Sequence, residues 1–148
     1  MSQTMPWWTG TVIYQLIVRS FADGNGDGIG DFKGLASRLP YLRWLGVKTL
    51  WLTPTYPSPL RDGGYDITDF KDIHPDLGDL ASLHRFLTAA HRQGMRVILG
   101  LVLNRTSDLP PWFQRARWAP KGSPERDFYV WSDDSSRYSD APVLFRHF

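Results

Sequence analysis

Apolar residues in this chain concentrate in three runs, separated by polar segments that contain glycine and proline. The runs are residues 11–21 (TVIYQLIVRSF), 47–54 (VKTLWLTP) and 96–103 (RVILGLVL). Continuous apolar runs rich in β-branched and aromatic residues are typical of strands buried on both faces of a parallel sheet. The pattern therefore predicts three buried strands.

The segment between the first two runs carries apolar residues at helical spacing. These residues are Phe32, Leu35, Leu39, Leu42 and Leu45. Asp31 is suited to cap the start of this helix, and Gly46 is suited to end it. Pro40 interrupts the pattern, because proline in a helix interior removes a hydrogen bond and crowds the preceding turn. We therefore expect a kink there, or a break into two short helices.

The segment between the second and third runs predicts a longer helix. Its apolar face consists of Leu80, Leu83, Leu87 and Ala90. Asp79 is suited to the N-cap, and Gly94 is suited to end the helix. Strands that alternate with helices in this order form a βαβαβ unit with a parallel sheet. The fold class predicted from the pattern is α/β.

Residues 104–148 show neither pattern and are rich in proline, serine, aspartate and aromatic residues. A segment of this length is too long for a plain loop in a compact domain. We expect it to begin an irregular inserted subdomain. The predicted organisation is a first domain over residues 1–103 and this subdomain over residues 104–148.

Composition and charge narrow the class of protein. With 42% hydrophobic residues in 148, the chain can bury a core. A formal net charge of +2, with basic and acidic residues interleaved, argues against a nucleic-acid partner. No apolar stretch approaches the roughly 20 residues that span a bilayer, and the N-terminus lacks the features of a signal peptide. Because cysteine is also absent, we expect a soluble, cytoplasmic protein without a membrane partner.

Residues 21–35 (FADGNGDGIGDFKGL) place oxygen-bearing side chains at alternate positions among glycines. The ligating positions of a calcium-hand loop are filled here by Asp23, Asn25, Asp27, the carbonyl of Ile29, and Asp31. The stretch is not a calcium hand, because Gly34 stands where a bidentate glutamate is needed and a strand precedes it. Two interpretations stay open: a compact loop that binds a hard cation, and an Asp-rich turn that caps the next helix.

Candidate ligand-binding side chains follow the second and third runs. In residues 63–67 (GGYDI), Asp66 can hydrogen-bond a polyol while the ring of Tyr65 stacks on it. Asn104 and Arg105 follow the third run. In a parallel barrel these connections lie at the face where active sites are built. A turn in which the aspartate bonds its own backbone explains GGYDI equally well. The aromatic count of 7 Trp, 6 Tyr and 8 Phe mildly favours a carbohydrate ligand.

Three longer motifs resemble a known family. They are residues 13–35 (IYQLIVRSFADGNGDGIGDFKGL), 45–70 (LGVKTLWLTPTYPSPLRDGGYDITDF) and 94–113 (GMRVILGLVLNRTSDLPPWF). In this order they resemble the start of the alpha-amylase family of glycoside hydrolases. Within that family, residues 56–67 and 119–134 are most similar to trehalose synthases, which interconvert maltose and trehalose.

The resemblance implies the N-terminal part of a (β/α)8 TIM barrel, with about three βα repeats and the start of an inserted subdomain. It implies glucosyl transfer within an α-glucoside disaccharide such as maltose or trehalose. Tyr65 is implied to stack on the reacting sugar, and Asp66 to hydrogen-bond it. Asn104 matches the family's asparagine at the end of the third strand. The implied cofactor is calcium, with magnesium as the alternative, held by Asp23, Asn25, Asp27 and Asp31.

The chain departs from the family's pattern at two positions. Gly100 stands where the family carries a carboxylate, and Arg105 stands where it carries a histidine that helps to hold the sugar. A guanidinium group there needs an anionic or carbonyl partner, and we expect Asp66 or Asp108 to provide it. Gly100 is expected to weaken the third strand, since glycine packs no side chain.

A retaining glycosidase needs two catalytic carboxyl groups. The resemblance implies that both lie on later strands, and the one glutamate present, Glu125, falls in the irregular segment. We therefore assign no catalytic residue to this chain, and we expect the C-terminal part of the barrel to be its partner. The alternative is a non-catalytic module or remnant that at most binds a cation or a sugar.

Overall fold

The computed structural model describes residues 5–133 and residue 136. The chain divides into two compact units, Met1–Pro110 and Pro111–Phe148. Across the described part of the first unit, β1 (Ile13–Leu16), β2 (Thr49–Leu52) and β3 (Arg96–Leu99) form a three-stranded sheet in this order. Both pairs of neighbouring strands are parallel. The predicted α/β fold with a parallel sheet is confirmed.

The paired strands are shorter than the apolar runs that predicted them. Their ladders stop together at Leu16, Leu52 and Leu99. After β1 the chain turns into a 3-10 helix, Val18–Ser20. Gly100 extends the pairing of β3 by one bond, from its amide to the Leu52 carbonyl (2.9 Å). The prediction that the strands reach residues 21 and 103 was therefore wrong, because apolar character continues past the point where the backbone is paired.

The break at Pro40 is confirmed. α1 (Phe32–Ser37) and α2 (Leu39–Trp44) replace a single helix, and Pro40 lies in the first turn of α2. There the missing N–H of proline costs nothing, since the first amides of a helix have no partner within it. Gly46 follows α2 with a φ of 89°, a left-handed conformation suited to ending a helix.

α3 (Leu80–Arg92) begins and ends close to the predicted positions. The Asp79 side chain accepts the Ser82 amide (2.6 Å), and the Ser82 hydroxyl accepts the Asp79 amide (2.8 Å). This reciprocal capping box uses two amides that the helix itself cannot bond. Gly94, with a φ of 75°, lies just beyond the C-cap residue Gln93.

One face of the sheet packs against these helices and forms the core. The buried residues at its centre are Leu16, Leu50, Leu52, Phe32, Leu35, Leu39, Leu42, Phe86 and Ala90. Phe32 of α1 and Phe86 of α3 bring their ring centroids to 5.7 Å. The opposite face is open: Ile13 and Trp51, which alternate with core residues, are 43% and 42% exposed.

The second unit contains α4 (Pro111–Trp118) and a 3-10 helix, Arg126–Phe128. The Arg126 guanidinium donates to the carbonyls of Ala116 (3.2 Å) and Arg117 (2.7 Å), and it lies 3.7 Å from the ring centroid of Trp131. The division at Pro110 groups residues 104–110 with the first unit, whereas the sequence placed the boundary after residue 103. Residues 134–135 and 137–148 of the predicted subdomain lie outside the described residues.

Across residues 5–133, no helix is long and apolar enough to cross a membrane.

Candidate functional site

The carboxyl ends of the three described strands lie side by side, because the register pairs Leu16 with Leu52 and Leu52 with Leu99. The connections that follow, residues 17–31, 53–79 and 100–110, therefore leave the sheet at one edge. In parallel α/β proteins this edge is where ligand sites are built. Every residue that the sequence assigned to sugar binding falls in the second and third of these connections.

Asp66 is a buried carboxylate at this edge, with 8% of its surface exposed. The Ser58 hydroxyl donates to its Oδ1 (2.6 Å), and the Arg61 amide donates to its Oδ2 (3.0 Å). Each oxygen keeps a further lone pair for another donor. A turn in which Asp66 bonds its own backbone was the alternative, and its donors belong instead to residues five and eight positions earlier.

Tyr65 is 37% exposed, so that part of its surface is accessible for stacking. A cavity of about 310 Å³ opens at the ends of β1 and β2, and Ile17, Thr53 and Gly64 are among its walls. That volume is at the lower end of the range of about 300 to 1,000 Å³ for small-molecule sites. Tyr65 and Asp66 are not among the residues that line the cavity. The cavity therefore reaches Gly64, the residue before Tyr65, without including the residues assigned to sugar binding.

Arg105 forms an ion pair with Asp62, with 2.7 Å between Arg105 Nη2 and Asp62 Oδ2. The expectation that Asp66 or Asp108 would be its partner was wrong. Asp66 already accepts donors from its own loop, and Asp108 accepts the Arg61 guanidinium. Asn104 is exposed beside Arg105. The proposed roles of Asn104 and Arg105 in sugar binding stay predictions.

Arg61 and Asp62 connect the second loop to the third. Arg61 Nη1 donates to both carboxylate oxygens of Asp108 (3.2 Å each), next to the pair between Asp62 and Arg105. The Ser107 amide also donates to the Ile67 carbonyl (2.9 Å). Sequence reasoning missed Arg61 and Asp62 as partners. The available signal was that these two adjacent residues carry opposite charges, and that the connection after β3 also contains a basic and an acidic residue.

Gly100 lies directly after β3 and not inside it. A Cβ at this position would lie 3.1 Å from the Leu52 carbonyl oxygen and 3.1 Å from Pro54 Cδ. Both contacts are tighter than ordinary van der Waals contact. A carboxylate side chain here would therefore require a small movement of the chain at Leu52 and Pro54.

Asp23 organises the Asp-rich loop. Its carboxylate accepts the amides of Gly26 (2.7 Å), Gly28 (2.8 Å) and Asn25 (3.0 Å). These amides stabilise the charged form, the Gly26 amide most and the Gly28 amide next, and they lower the pKa of Asp23 below its ordinary value of 3.8. The side chains of Asn25 and Asp27 each accept the amide two residues further on.

Asp31 is buried and accepts the amides of Gly34 (2.6 Å) and Gly24 (3.3 Å). It caps α1, as predicted, and it also closes the loop onto the helix. Whether it is a metal ligand as well stays a prediction.

The oxygen-rich loop fits a hard cation in the chemistry of its donors, because carboxylate, amide and carbonyl oxygens are the ligands that calcium prefers. Each side-chain oxygen that accepts one amide has a second lone pair available. Within the described residues, no group of three or more His, Cys, Asp or Glu side chains is gathered as a metal site. Asn25, an amide, would supply one of the oxygens here.

The fold and the placement of these residues define a class: a segment of an α/β protein with a parallel sheet, whose candidate site residues follow the carboxyl ends of the strands. The chain matches the family model described as "Alpha amylase, catalytic domain" over residues 15–148. This chain belongs to the alpha-amylase family.

Among curated proteins the chain is similar to trehalose synthases. It is 52% identical over 139 residues to that of Pimelobacter sp. (strain R48), a match that covers 94% of this chain and 24% of that protein. It is 54% identical over 142 residues to that of Thermus thermophilus, a match that covers 96% of this chain and 14% of that protein. The chain thus spans a quarter or less of these relatives and matches their N-terminal part.

The chain is also similar to solved structures of two other enzymes. The chain is similar to the trehalulose synthase MutB, in its A258V mutant with Tris, with a TM-score of 0.83 and 43% identity over 89% of this chain and 24% of that one. It is also similar to Bacillus licheniformis trehalose-6-phosphate hydrolase, with a TM-score of 0.82 and 41% identity over 90% of this chain and 24% of that one.

Proposed function

We propose that this chain supplies the N-terminal part of an enzyme that transfers a glucosyl group within an α-glucoside such as maltose or trehalose. The observation that carries the proposal is Asp66, a buried carboxylate whose two oxygens are held by separate donors at the carboxyl ends of the strands. Identities of 52% and 54% to trehalose synthases favour this substrate class within the family.

Each residue of the proposed site makes a different kind of contact with the sugar. Tyr65 offers part of its ring as a stacking surface, and Asp66 accepts hydroxyl hydrogens from the same sugar through its remaining lone pairs. Asn104 supplies an amide that can donate to one sugar oxygen and accept from a hydroxyl group. These residues bind and orient the glucosyl unit.

The chemistry itself requires a carboxylate nucleophile and a carboxylic acid on opposite sides of the reacting bond. We propose that the later strands of the barrel supply both and complete the site. The open sheet face supports this proposal, because Trp51 and Ile13 leave more apolar surface exposed there than a buried parallel sheet does. The partner of this segment is then the C-terminal part of the barrel.

A second candidate is a module without catalytic activity. The two departures from the family pattern in this site favour it. Arg105 forms an ion pair with Asp62, and Gly100 leaves no carboxylate at the end of β3. Such a module would bind a cation or a sugar without turning it over.

A chimera separates these candidates. Residues 1–148 replace the matching segment of the Pimelobacter trehalose synthase, and conversion of maltose is measured. We expect the unmodified chimera to be about one hundredfold less active than its parent, because a misplaced sugar slows the reaction by that order. Gly100→Asp together with Arg105→His should restore much of the rate. A doubly substituted chimera that folds and stays inactive would favour the non-catalytic module, and an unmodified chimera as active as its parent would show that the departures are harmless.

A further inference from the structure

Ser58 is the nearest donor to the Asp66 carboxylate, and it is nearly as deeply buried. Its hydroxyl lies 2.6 Å from Asp66 Oδ1, and Ser58 and Asp66 are 9% and 8% exposed. The Arg61 amide lies 3.0 Å from the other oxygen, Oδ2. With one donor on each oxygen, the carboxylate group is held against rotation as well as against displacement.

The direction of the Ser58 hydroxyl hydrogen is itself determined. Ser58 Oγ accepts the Leu60 amide (2.9 Å). A serine hydroxyl has one hydrogen to donate, and the Leu60 amide takes up one of its lone pairs. The hydrogen is therefore left for the Asp66 carboxylate oxygen Oδ1.

Leu60 adopts a conformation that leucine normally avoids. Among the described residues it is the non-glycine residue with a positive φ, 61°. A left-handed leucine is unfavourable because its Cβ crowds the following carbonyl oxygen. Such conformations persist where the surroundings hold them, and they concentrate at functional sites. Here the left-handed residue orients two consecutive amides, those of Leu60 and Arg61, toward Ser58 and Asp66.

The same turn is anchored on its outer side. The Arg61 side chain pairs with Asp108, and the neighbouring Asp62 pairs with Arg105, so that both side chains join the turn to the loop after β3. The pair between Arg61 and Asp108 belongs to the residue whose amide bonds Asp66, and it is kept in every variant tested below.

We propose that Ser58 is a positioning residue, which acts with the left-handed Leu60 turn to hold Asp66 in the orientation that binds a hydroxyl group of the α-glucoside. This inference rests on the proposed function and extends it to a residue that does not itself touch the sugar. The expected effect of removing the Ser58 hydroxyl is a KM roughly tenfold higher with a nearly unchanged kcat, because binding of the ground state and the transition state weakens alike.

The orientation of Asp66 is tested first, without any activity measurement, in the 148-residue chain carrying Trp51→Thr on the open sheet face, a change that limits self-association. Three-bond couplings across the Asp66 Cα–Cβ bond report its rotamer by nuclear magnetic resonance. A single rotamer is expected in the wild-type chain and in Ser58→Thr, which keeps the hydroxyl, and averaged couplings are expected in Ser58→Ala. Unchanged couplings in Ser58→Ala would overturn the proposal.

A matched control lies in the same loop. The Thr68 hydroxyl donates to the Pro57 carbonyl (3.0 Å) and does not touch the Asp66 oxygens. Thr68→Ala removes a hydroxyl hydrogen bond from this loop, and the single Asp66 rotamer should persist. If the Asp66 couplings are averaged as much in Thr68→Ala as in Ser58→Ala, Ser58 has only a general structural role, and the proposal is overturned. If Ser58→Ala fails to fold, averaged Asp66 couplings in the wild-type chain would overturn it as well.

Kinetics then test the sugar-binding role in the chimera that carries Gly100→Asp and Arg105→His. Adding Ser58→Ala should raise KM for maltose roughly tenfold, Ser58→Thr should restore it, and Thr68→Ala should leave it unchanged. A fixed Asp66 together with an unchanged KM in Ser58→Ala would overturn the sugar-binding role of Ser58. Failure of the chimera on maltose would count against the proposed function alone, because the rotamer measurement does not depend on it.

Discussion

At the scale of single residues, the ion pairs formed by charged side chains determine which groups of the site remain available to a ligand. Arg105 occupies the position at which the resemblance to the family implies a histidine, and it pairs with Asp62, the neighbour of Arg61. A histidine could contact a sugar hydroxyl without needing an anion, whereas a guanidinium carries a permanent charge. One substitution therefore changes which loop side chains remain available to a ligand.

The pair between Asp62 and Arg105 should contribute a small, measurable coupling. The two side chains are 30% and 45% exposed, so solvent weakens their attraction, and we expect a coupling free energy of about 0.2–1 kcal/mol. Asp62→Ala, Arg105→Ala and the double variant form a cycle that urea unfolding can measure. Lys121 and Asp133, 89% and 88% exposed, form the control pair, for which we expect almost no coupling. A zero coupling for the first pair would contradict the expectation.

Calcium should stabilise the chain if the Asp-rich loop binds it. A ligand that binds the folded state alone contributes about 2.7 kcal/mol at one hundred times its dissociation constant, and the melting temperature rises accordingly. Asp27→Ala should abolish the rise. Asp69→Ala is the matched control, because Asp69 likewise accepts the amide two residues further on (2.8 Å) in an exposed loop. An unchanged melting curve for the folded wild-type chain in calcium would leave only the turn interpretation.

At the scale of elements, the ends of the helices follow local rules. Asp31 and Asp79 cap α1 and α3, Pro40 lies in the first turn of α2, and Gly46 follows its end. These are short-range effects, in which a side chain bonds an amide within three residues or a ring restricts one φ angle. Such features could be predicted from the sequence because they need no distant partner.

The cap at Asp79 makes the stability of α3 depend on pH. The Ser82 amide and then the Ser82 hydroxyl lower the pKa of Asp79 below its ordinary value of 3.8. Since the folded-state pKa is the lower one, the stabilisation is fully present above the unfolded value and disappears as the pH falls through the folded value. Asp79→Ala should lower the melting temperature by a few degrees at neutral pH.

The difference in melting temperature between the wild-type chain and Asp79→Ala should shrink toward zero in acid, below the ordinary aspartate pKa of 3.8. Thermal melts of both chains from neutral to acidic pH measure it. Asp79→Asn is the control, because asparagine caps a helix without titrating, so its melting temperature should keep a nearly constant difference from that of Asp79→Ala at every pH. A gap between Asp79→Ala and wild type that stays constant down to strongly acidic pH would contradict the assignment.

At the scale of the whole molecule, the sheet is covered by helices on one face. Two apolar residues of the other face, Ile13 and Trp51, are exposed, and both outer strands offer unpaired edges within the described residues. Exposed apolar faces and open edges promote association between chains. The organisation suits a segment completed by further strands.

The 148-residue chain alone should therefore be marginally stable and should self-associate. Light scattering after size exclusion should show species larger than a monomer, and thermal melts should be broad. Trp51→Thr on the open face should reduce association. Trp44→Thr should not, because Trp44, although 80% exposed, lies on α2 and away from that face. A monomer with a cooperative transition at high temperature would contradict this prediction.

The sequence by itself determined the three strands, the two-part first helix, the caps and the family, because apolar periodicity and capping are local properties and the long motifs are specific. The strand ends could not be predicted, since pairing stops where the neighbouring strand stops. The tertiary structure alone decided that Arg105 meets Asp62, that Ser58 and the Arg61 amide hold Asp66, and that Leu60 is left-handed. These features arise where separate loops converge at one edge of the sheet. A local sequence pattern therefore cannot predict which of several acidic residues forms an ion pair with a given arginine.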